Sequence, residues 1–255
     1  QTAGFKRLGV LGDWDNPYIT YQPQMEAKQI GVFGEMYKRG FIYKGLKPVY
    51  WCTDCETALA EAEIEYKDVN SNTAYVKFPV RDANGLFDEK DAYIVIWTTT
   101  PWTLPGNTMI AVGPEFKYAV VKVGNEKLVF AKDLVEKVME TAGIEEYEII
   151  DEIDGEKLEG VICRHPFLDR DSIVVTGSED TVNVELGTGS GCVHCAPGYG
   201  KEDYLLGVKK KSEVVVCVDS KGVQRGEGAG RFDGMYYAKS DKAIINWLDE
   251  NNRLL

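Results

Sequence analysis

A run of hydroxyl side chains follows an apolar stretch of the sequence. Residues 93–97 are typical of a buried strand, and Thr98, Thr99 and Thr100 come directly after them. Pro101 has no N–H to donate to a neighbouring strand, so we expect the strand to end there. Because strand residues alternate between two faces, Thr98 and Thr100 are predicted to share one side and Thr99 to take the other. Such a corner could bind a small polar ligand, although it could also be a simple threonine-rich turn.

A second distinctive stretch covers residues 189–204, where glycine-rich turns flank a short apolar segment. This segment is expected to be a strand with Cys192 and His194 on one face. A Pro-Gly turn follows, and a helix is predicted from Glu202. Asp203 then lies in the first helical turn, where the helix dipole favours a negative charge and should lower the pKa of the carboxyl. An ionised carboxylate there is suited to binding an ammonium group.

Three other kinds of site could be built from the second stretch. A phosphate-binding loop is weakly supported, because no Gly-Lys-Ser/Thr follows the glycines. A cysteine hydrolase would pair His194 with a thiol, but the side chains of His194 and its neighbour Cys195 diverge on a strand. A zinc site could combine two Cys-x-x-Cys pairs, Cys52 with Cys55 and Cys192 with Cys195. The strand would put Cys192 and Cys195 on opposite faces, which is poor ligand geometry.

Both stretches match one family. The string Trp-Thr-Thr-Thr-Pro-Trp-Thr-Leu-Pro at residues 97–105, with Asn107 after it, resembles the threonine-rich peptide of the editing domain of isoleucyl-tRNA synthetases. The string Val-His-x-Ala-Pro-Gly-x-Gly-x-x-Asp-Tyr at residues 193–204 is similar to the second editing-site motif of that family. The valyl and leucyl relatives are expected to carry arginine in place of Thr100. Further similarity covers residues 4–66, so the resemblance extends over most of the chain.

The resemblance implies a fold and a reaction. The fold is α+β: a barrel-like antiparallel β-sheet editing domain with peripheral helices and an arm that holds a helix and a Cys-x-x-Cys knuckle. The implied domains are a connecting arm at 1–66, the editing barrel at 67–235 and a return-arm helix at 236–255. The implied reaction is post-transfer editing, in which water hydrolyses the ester of mischarged Val-tRNA(Ile). Valyl-adenylate is a further possible substrate, and the parent protein would be an isoleucine–tRNA ligase.

The resemblance also explains why a second site is needed. One methylene in an apolar pocket is worth only about 1–3 kcal/mol, so a synthetic site for isoleucine cannot reject valine strongly. An editing pocket must therefore admit valine and clash with isoleucine. By resemblance, Asp203 anchors the α-ammonium group, and His194 with Thr100 limits the size of the bound side chain.

The remaining roles concern the ester and the terminal nucleoside. By resemblance, Thr98 and Thr99 position the ester and the attacking water, and Asn107 holds the loop or contacts the adenosine. The sequence departs from the family pattern at Ser190, where threonine is common, and at Tyr199, where histidine is frequent. These departures bear on fine specificity more than on activity.

The chain lacks His-Ile-Gly-His and Lys-Met-Ser-Lys-Ser, the ATP-handling signatures of class I synthetases. We therefore expect it to destroy aminoacyl-tRNA and not to make it. No metal or cofactor is expected here, and ATP, Mg²⁺ and possibly Zn²⁺ would belong to the full-length parent, with Cys52 and Cys55 as half of a zinc knuckle. The implied partners are the 3′ end of tRNA(Ile) carrying valine and the rest of the synthetase polypeptide. The alternatives are a catalytically silent module that binds the tRNA 3′ end and a stand-alone trans-editing deacylase.

Composition agrees with a globular protein, with 44% hydrophobic and 27% charged residues. The net charge of −12 argues against broad electrostatic binding of nucleic acid, which needs clustered lysine and arginine. The six cysteines do not suggest a secreted disulfide framework, so a reducing cytoplasm is expected, and no membrane-spanning stretch is apparent. The chain begins with Gln1 and not with methionine, so we expect a fragment of a longer protein.

Periodicity and turn signals predict the elements that position both motifs. Helices are expected at 21–39, ending at Gly40, and at 56–63, 132–141 and 202–210. A last helix is expected at 241–251, with Ser240 as its cap and Ile244, Ile245 and Leu248 on one stripe. Strands are predicted at 48–51, 73–80, 92–97, 108–112, 118–123, 127–130, 146–150, 173–176 and 214–218. His165, the second histidine, is expected to be structural or at the surface.

Overall fold

A computed structural model describes residues 1–255, which separate into two units, Gln1–Leu46 and Lys47–Leu255. The first unit holds helices α1 (Thr2–Arg7) and α2 (Pro23–Lys38). Helix α2 confirms the predicted helix: proline occupies its first turn, and Gly40 ends it with a φ of 78°. Neither helix has a buried residue.

The second unit is built on a sheet with helices around it. Its strands are β1 (Trp51–Cys52), β2 (Thr57–Ala58), β3 (Ala74–Asp82), β4 (Ala92–Thr98), β5 (Met109–Val112), β6 (Lys117–Val123), β7 (Glu126–Ala131), β8 (Glu148–Asp154), β9 (Ile162–Arg164), β10 (Asp171–Thr176) and β11 (Cys192–Cys195). Its α-helices are α3 (Val135–Ala142), α4 (Lys201–Lys210) and α5 (Tyr237–Glu250). Short 3₁₀ helices lie at Glu61–Glu63, Pro101–Gly106, Lys132–Leu134, Gly155–Leu158 and Glu227–Phe232.

Six strands close into a barrel in the order β11, β5, β10, β9, β3, β4 and back to β11. The pair that closes the barrel is Trp97 with Val193, in parallel orientation. Most neighbours are antiparallel, but β5 with β10 and β4 with β7 are parallel pairs. Beyond β4 the sheet continues through β7, β6 and β8. This architecture confirms the predicted α+β fold with a barrel-like sheet and peripheral helices.

The apolar strand residues form the main core, together with buried residues of α3 and α5. Phe78, Ile94, Ile96 and Ile110 are fully buried. Burying an apolar side chain of this size stabilises the fold by about 1.5–3 kcal/mol. A smaller cluster forms where Leu206 of α4 packs against β5 and β10. The barrel and α4 are therefore fixed to each other by apolar contact, which sets the position of the first turn of α4.

The C-terminal helix α5 packs on the same core. Ile244 and Leu248 are fully buried, and Leu254 pairs with Val76 of β3. The predicted stripe of Ile244, Ile245 and Leu248 is thus largely confirmed, since Ile245 is half-buried. The predicted boundaries at residues 66/67 and 235/236 stay predictions. None of the helices is long and apolar enough to cross a membrane.

Several predicted elements differ from the structure. The strand predicted at 214–218 is absent, because the run has no neighbouring strand and Val216 is 58% exposed; only Val218 makes an isolated bridge. The helix at 56–63 is replaced by β2 and one 3₁₀ turn. Ser240 does not cap α5, which begins at Tyr237; its hydroxyl donates within the helix to the carbonyl of Tyr237. Strand β9 was not predicted, because three residues give no usable periodicity.

Candidate active site

Barrel closure brings the two sequence motifs together. The closing pair, Trp97 and Val193, is followed on each strand by one motif residue, Thr98 and His194. Side chains from both motifs line one pocket with a volume of ≈ 390 Å³. Five of the six predicted site residues border this pocket: Thr98, Thr99, Thr100, His194 and Asp203.

The three threonines do not alternate as predicted. Strand β4 ends at Thr98, so Thr99 and Thr100 leave the pleat, and all three line the same pocket. Thr98 is 5% exposed, and its Oγ1 accepts a hydrogen bond from the N–H of Thr100 at 3.1 Å. This local bond turns the chain out of the strand, since a threonine hydroxyl competes with a strand partner for the backbone. The exposed Thr100 then leads into the 3₁₀ helix Pro101–Gly106.

Thr103 also borders the pocket, although it was not among the predicted site residues. Its hydroxyl donates to the carbonyl of Thr100 at 2.8 Å and lies 3.4 Å from Thr100 Oγ1. The same oxygen is 2.8 Å from His194 Nε2. The fact that Thr103 lies three residues after Thr100 could have indicated it, because residues i and i+3 share a face of a 3₁₀ helix.

The imidazole of His194 is held at both nitrogens. Asn107 Nδ2, which can only donate, lies 2.8 Å from Nδ1. Nδ1 must then be the acceptor, so the proton is on Nε2 and is donated to Thr103 Oγ1. The bonds run in one direction, from Asn107 through His194 and Thr103 to the carbonyl of Thr100. This network fixes the orientation of the ring, which forms a rigid wall of the pocket.

His194 is neutral in this environment. Burial lowers its pKa to about 4, because the charged form loses its hydration. Neither nitrogen is free to take a proton from water, so the ring contributes shape and polarity. The cysteine-hydrolase alternative is not supported either: burial raises the pKa of the thiols of Cys192 and Cys195, which disfavours the reactive thiolate.

Asn107 does not line the pocket. It is fully buried behind His194, and its Nδ2 also donates to the carbonyl of Met109 at 2.9 Å. Of the two roles expected for Asn107, the structure places it to hold the loop and the histidine. A contact with a bound adenosine would need an exposed amide, which Asn107 does not have.

Asp203 lies in the first turn of α4, as predicted, but its electrostatics differ from the expectation. Burial raises its pKa to about 6, although the Ala196 N–H donates to Oδ2 at 2.8 Å and stabilises the charged form. Desolvation therefore outweighs the hydrogen bond and the helix dipole. The backbone passes close to the carboxyl at Gly200, where a Cβ would lie 2.9 Å from Asp203 Cγ. The carboxylate is thus held in a tight site that lacks a cation.

The raised pKa of Asp203 makes a prediction about stability. The folded state binds this proton more tightly than the unfolded state, so the contribution of Asp203 to stability is lost as pH rises from about 4 through about 6. We expect Asp203→Asn, which keeps an acceptor for Ala196, to be more stable than the parent at pH 8 by up to about 3 kcal/mol. The two should be nearly equal at pH 4. Urea unfolding of both proteins across this range checks the difference, and a constant difference would contradict it.

Ser190 and Tyr199, the two residues that depart from the family pattern, both make well-defined contacts. Ser190 is buried, and its hydroxyl bonds with the backbone of Cys192, a contact that threonine could also make. Tyr199 borders the pocket, accepts a hydrogen bond from the Cys217 N–H at 2.7 Å, and packs edge-on against Trp102 at 5.3 Å. Tyr199 therefore forms a fixed aromatic wall at this position.

His165 is structural. It is 3% exposed, and its Nε2 lies 2.8 Å from the carbonyl of Leu104, while Nδ1 accepts from the N–H groups of Phe167 and Leu168. Burial lowers its pKa to about 3. His165 thus supports the 3₁₀ helix Pro101–Gly106 from outside the pocket.

The four-cysteine zinc site is not formed. Cys192 packs in the main core and Cys195 in the smaller cluster, while Cys55 is exposed. No group of three or more His, Cys, Asp or Glu side chains is placed to hold a metal ion. Cys52 and Cys55 form a local turn in which the Cys55 N–H donates to Cys52 Sγ at 3.3 Å. Hydrogen bonds to the sulfur, chiefly the one from the Cys55 N–H, lower the pKa of Cys52.

Solved structures share this fold. The P. falciparum cytosolic leucyl-tRNA synthetase editing domain matches with a TM-score of 0.57 at 11% identity, covering 72% of this chain and 98% of that one. The P. knowlesi cytosolic leucyl-tRNA synthetase editing domain matches with a TM-score of 0.55 at 12% identity, covering 72% of this chain and 95% of that one. At such low identity the likeness concerns the fold alone.

Sequence relatives are much closer. The chain is 52% identical over 255 residues to an isoleucine–tRNA ligase of Moorella thermoacetica and 53% identical over 256 residues to one of Natranaerobius thermophilus. Each match covers 100% of this chain but only 27% of the relative. The family described as tRNA synthetases class I (I, L, M and V) matches residues 1–241. The chain therefore belongs to the class I tRNA synthetases of the I, L, M and V group.

Proposed function

We propose that this chain is an editing deacylase that hydrolyses the ester of mischarged Val-tRNA(Ile). The observation that carries the proposal is the pocket itself: a buried carboxylate, Asp203, and a rigid ring, His194, border the same ≈ 390 Å³ cavity as Thr98, Thr99 and Thr100. The carboxylate binds the α-ammonium group, which all amino acids share. The ring limits the size of the side chain, which differs among amino acids.

In the proposed reaction Asp203 binds the α-ammonium group of the aminoacyl ester. This pairing gives the desolvated carboxylate the cation that it lacks in the free protein and holds it ionised at neutral pH. Charge-assisted hydrogen bonds of this kind are short and directional. They therefore fix the ester carbonyl relative to the threonines.

The hydroxyls of Thr98 and Thr99 orient a water molecule beside that carbonyl. The water oxygen bonds to the carbonyl carbon, and the bond from this carbon to the ribose oxygen then breaks. The ribose oxygen receives a proton, the other product is the free amino acid, and the remaining proton goes to solvent. An aminoacyl ester is already activated, so orientation of the water can supply much of the acceleration. His194, with both nitrogens occupied, takes no proton in this scheme.

Selectivity comes from volume. The ring of His194 cannot rotate without breaking its hydrogen bonds to Asn107 and Thr103. Displacement of the ring by a larger substrate side chain would therefore cost the free energy of these bonds. Thr100 also borders the pocket, and we propose that it limits the size of the bound side chain together with His194. Valine is accepted, and the extra methylene of isoleucine meets the ring.

The close relatives favour isoleucine as the cognate amino acid. Since the chain spans 27% of their length, we propose that it works within a longer synthetase, with the rest of that polypeptide and the 3′ end of tRNA(Ile) as partners in the cytoplasm. Valyl-adenylate carries the same ammonium and side chain and is a second candidate substrate. The competing proposals are a silent tRNA-binding module and a stand-alone deacylase. An activity assay distinguishes the silent module from an active editing domain.

The test uses the ammonium group. The 255-residue chain is incubated with Val-tRNA(Ile) and with N-acetyl-Val-tRNA(Ile), which has the same side chain and ester but no positive charge. We expect hydrolysis of the free amine to exceed that of the acetylated ester by roughly 10- to 100-fold, the equivalent of one charge-assisted bond. Equal rates above the spontaneous rate would show that Asp203 does not bind the amine, and two spontaneous rates would favour the silent module.

A further inference from the structure

The backbone of Trp102 is held from both sides by side chains from the C-terminal part of the chain. Asp241 Oδ1 in α5 accepts a hydrogen bond from the Trp102 N–H at 2.7 Å, across 139 residues. Gln224 Nε2 donates to the Trp102 carbonyl at 2.9 Å, across 122 residues. We call Gln224 and Asp241 the Trp102 clamp. Such long-range side-chain partners for both polar groups of one residue fix that residue more tightly than a turn alone would.

The clamp is itself held in place. Gln224 is fully buried, and its Nε2 also lies 3.3 Å from Ser240 Oγ, whose proton goes to the carbonyl of Tyr237. The ring of Tyr237 packs on the indole of Trp102 at 4.8 Å between centroids. Helix α5 therefore contacts both the backbone and the side chain of Trp102.

Trp102 is connected to the pocket through two sets of contacts. The next residue is Thr103, whose hydroxyl is 2.8 Å from His194 Nε2. The indole of Trp102 also packs edge-on, at 5.3 Å, against Tyr199, which borders the pocket. A displacement of Trp102 would thus move the partner of the histidine ring and one aromatic wall together.

We propose that Gln224 and Asp241 are positioning residues of the editing site, which set the size limit of the pocket through Trp102. This inference rests on the proposed deacylase function. Neither residue borders the pocket, so neither is expected to touch the substrate. A loosened Trp102 would let Thr103 and His194 shift, and small displacements in a positioned reaction have large effects on rate.

The test compares three variants of the 255-residue chain. Asp241→Ala removes the acceptor and should lower kcat for Val-tRNA(Ile) about 10-fold with KM within about twofold, the loss expected for one hydrogen bond to a charged group. It should also lower the ratio of valine to isoleucine hydrolysis. Asp241→Asn keeps an acceptor oxygen and should restore both quantities to within about twofold. Asp249→Ala, at an exposed carboxylate of the same helix, should leave both unchanged.

An Asp241→Ala protein with lower thermal stability but unchanged kcat and unchanged ratio would overturn the proposal, because the clamp would then be structural only. Equal impairment in Asp241→Asn would overturn it as well. If Asp241→Ala does not fold, Gln224→Met, which keeps the length of the side chain without its donor, should show the same fall in kcat and ratio. An unchanged kcat and ratio in that variant would refute the proposal.

A parent chain without deacylase activity would refute the proposed function and remove the basis of the positioning role. The clamp can still be measured by NMR in that case. Asp241→Ala should speed hydrogen exchange of the Trp102 amide and shift the ring ¹⁵N resonances of His194 away from a single Nε2–H tautomer. Unchanged exchange and unchanged resonances would show that the clamp does not act on the histidine.

Discussion

Replacement of His194 by alanine is expected to make the chain hydrolyse correctly charged Ile-tRNA(Ile). The variant removes a ring that borders the pocket and opens more space than one methylene occupies. Since a methylene is worth about 1–3 kcal/mol, we expect isoleucine hydrolysis to rise roughly 10- to 100-fold. Valine keeps its ammonium and ester contacts, so its hydrolysis should change much less. Single-turnover deacylation of both esters measures the ratio.

His165→Ala is the matched control for this prediction. It removes the only other histidine, also buried and neutral, from a position outside the pocket. We expect it to lower stability and to change the ratio of valine to isoleucine hydrolysis far less than His194→Ala does, because it loosens the 3₁₀ helix at Leu104 but leaves the ring of His194 in the pocket. If His194→Ala behaved like this control, with an unchanged ratio, the size-filter role would be refuted.

Replacement of Asp203 by alanine should nearly abolish deacylation while leaving the barrel folded. The variant removes the carboxylate that we propose to bind the ammonium group, and kcat/KM should fall by roughly 100-fold or more. It also leaves the Ala196 N–H without its acceptor, so Asp203→Asn is the better folded control. Asp203→Asn should be equally slow, because the amide oxygen has no charge. Full turnover in the asparagine variant would show that the ammonium is held elsewhere.

The pH dependence of the parent chain gives an independent check on the same residue. In the proposed reaction the ionised form of Asp203 binds the substrate, so we expect kcat/KM to fall below a pH of about 6. His194, with a pKa of about 4, stays neutral over this range and cannot produce that limb. An α-amino group titrates near ~7.7, so kcat/KM should fall again on the alkaline side. A profile that is flat between pH 5 and 7 would contradict the assignment.

Much of the fold could be predicted because its strands are apolar runs bounded by turn residues. Strands β4 and β6, helix α2 and helix α4 all carry such local signals. The elements that were predicted wrongly or not predicted depend on strand pairing and not on local signals. The apolar run at 214–218 resembles a strand but has no partner, and strand pairing is a property of the whole sheet. Three-residue β9 is a strand only because β3 and β10 flank it.

The same distinction between local signals and long-range contacts applies to the site. Resemblance and turn chemistry located Thr98, His194 and Asp203, and barrel closure explains why they meet. The role of Thr103 and the buried position of Asn107 depend on contacts across about 90 residues, which no local pattern encodes. The pKa of Asp203 was predicted in the wrong direction, because a helix start is visible in sequence whereas desolvation is not.

We propose above all that this pocket removes valine from tRNA(Ile) and spares isoleucine. The most direct measurement is single-turnover deacylation of Val-tRNA(Ile) and Ile-tRNA(Ile) by the unmodified 255-residue chain at pH 7. We predict that valine is released well above the spontaneous rate and at least roughly 10-fold faster than isoleucine, the smallest margin that one methylene provides. Equal rates for the two esters, or no release of either above the spontaneous rate, would contradict the proposed selectivity of this pocket.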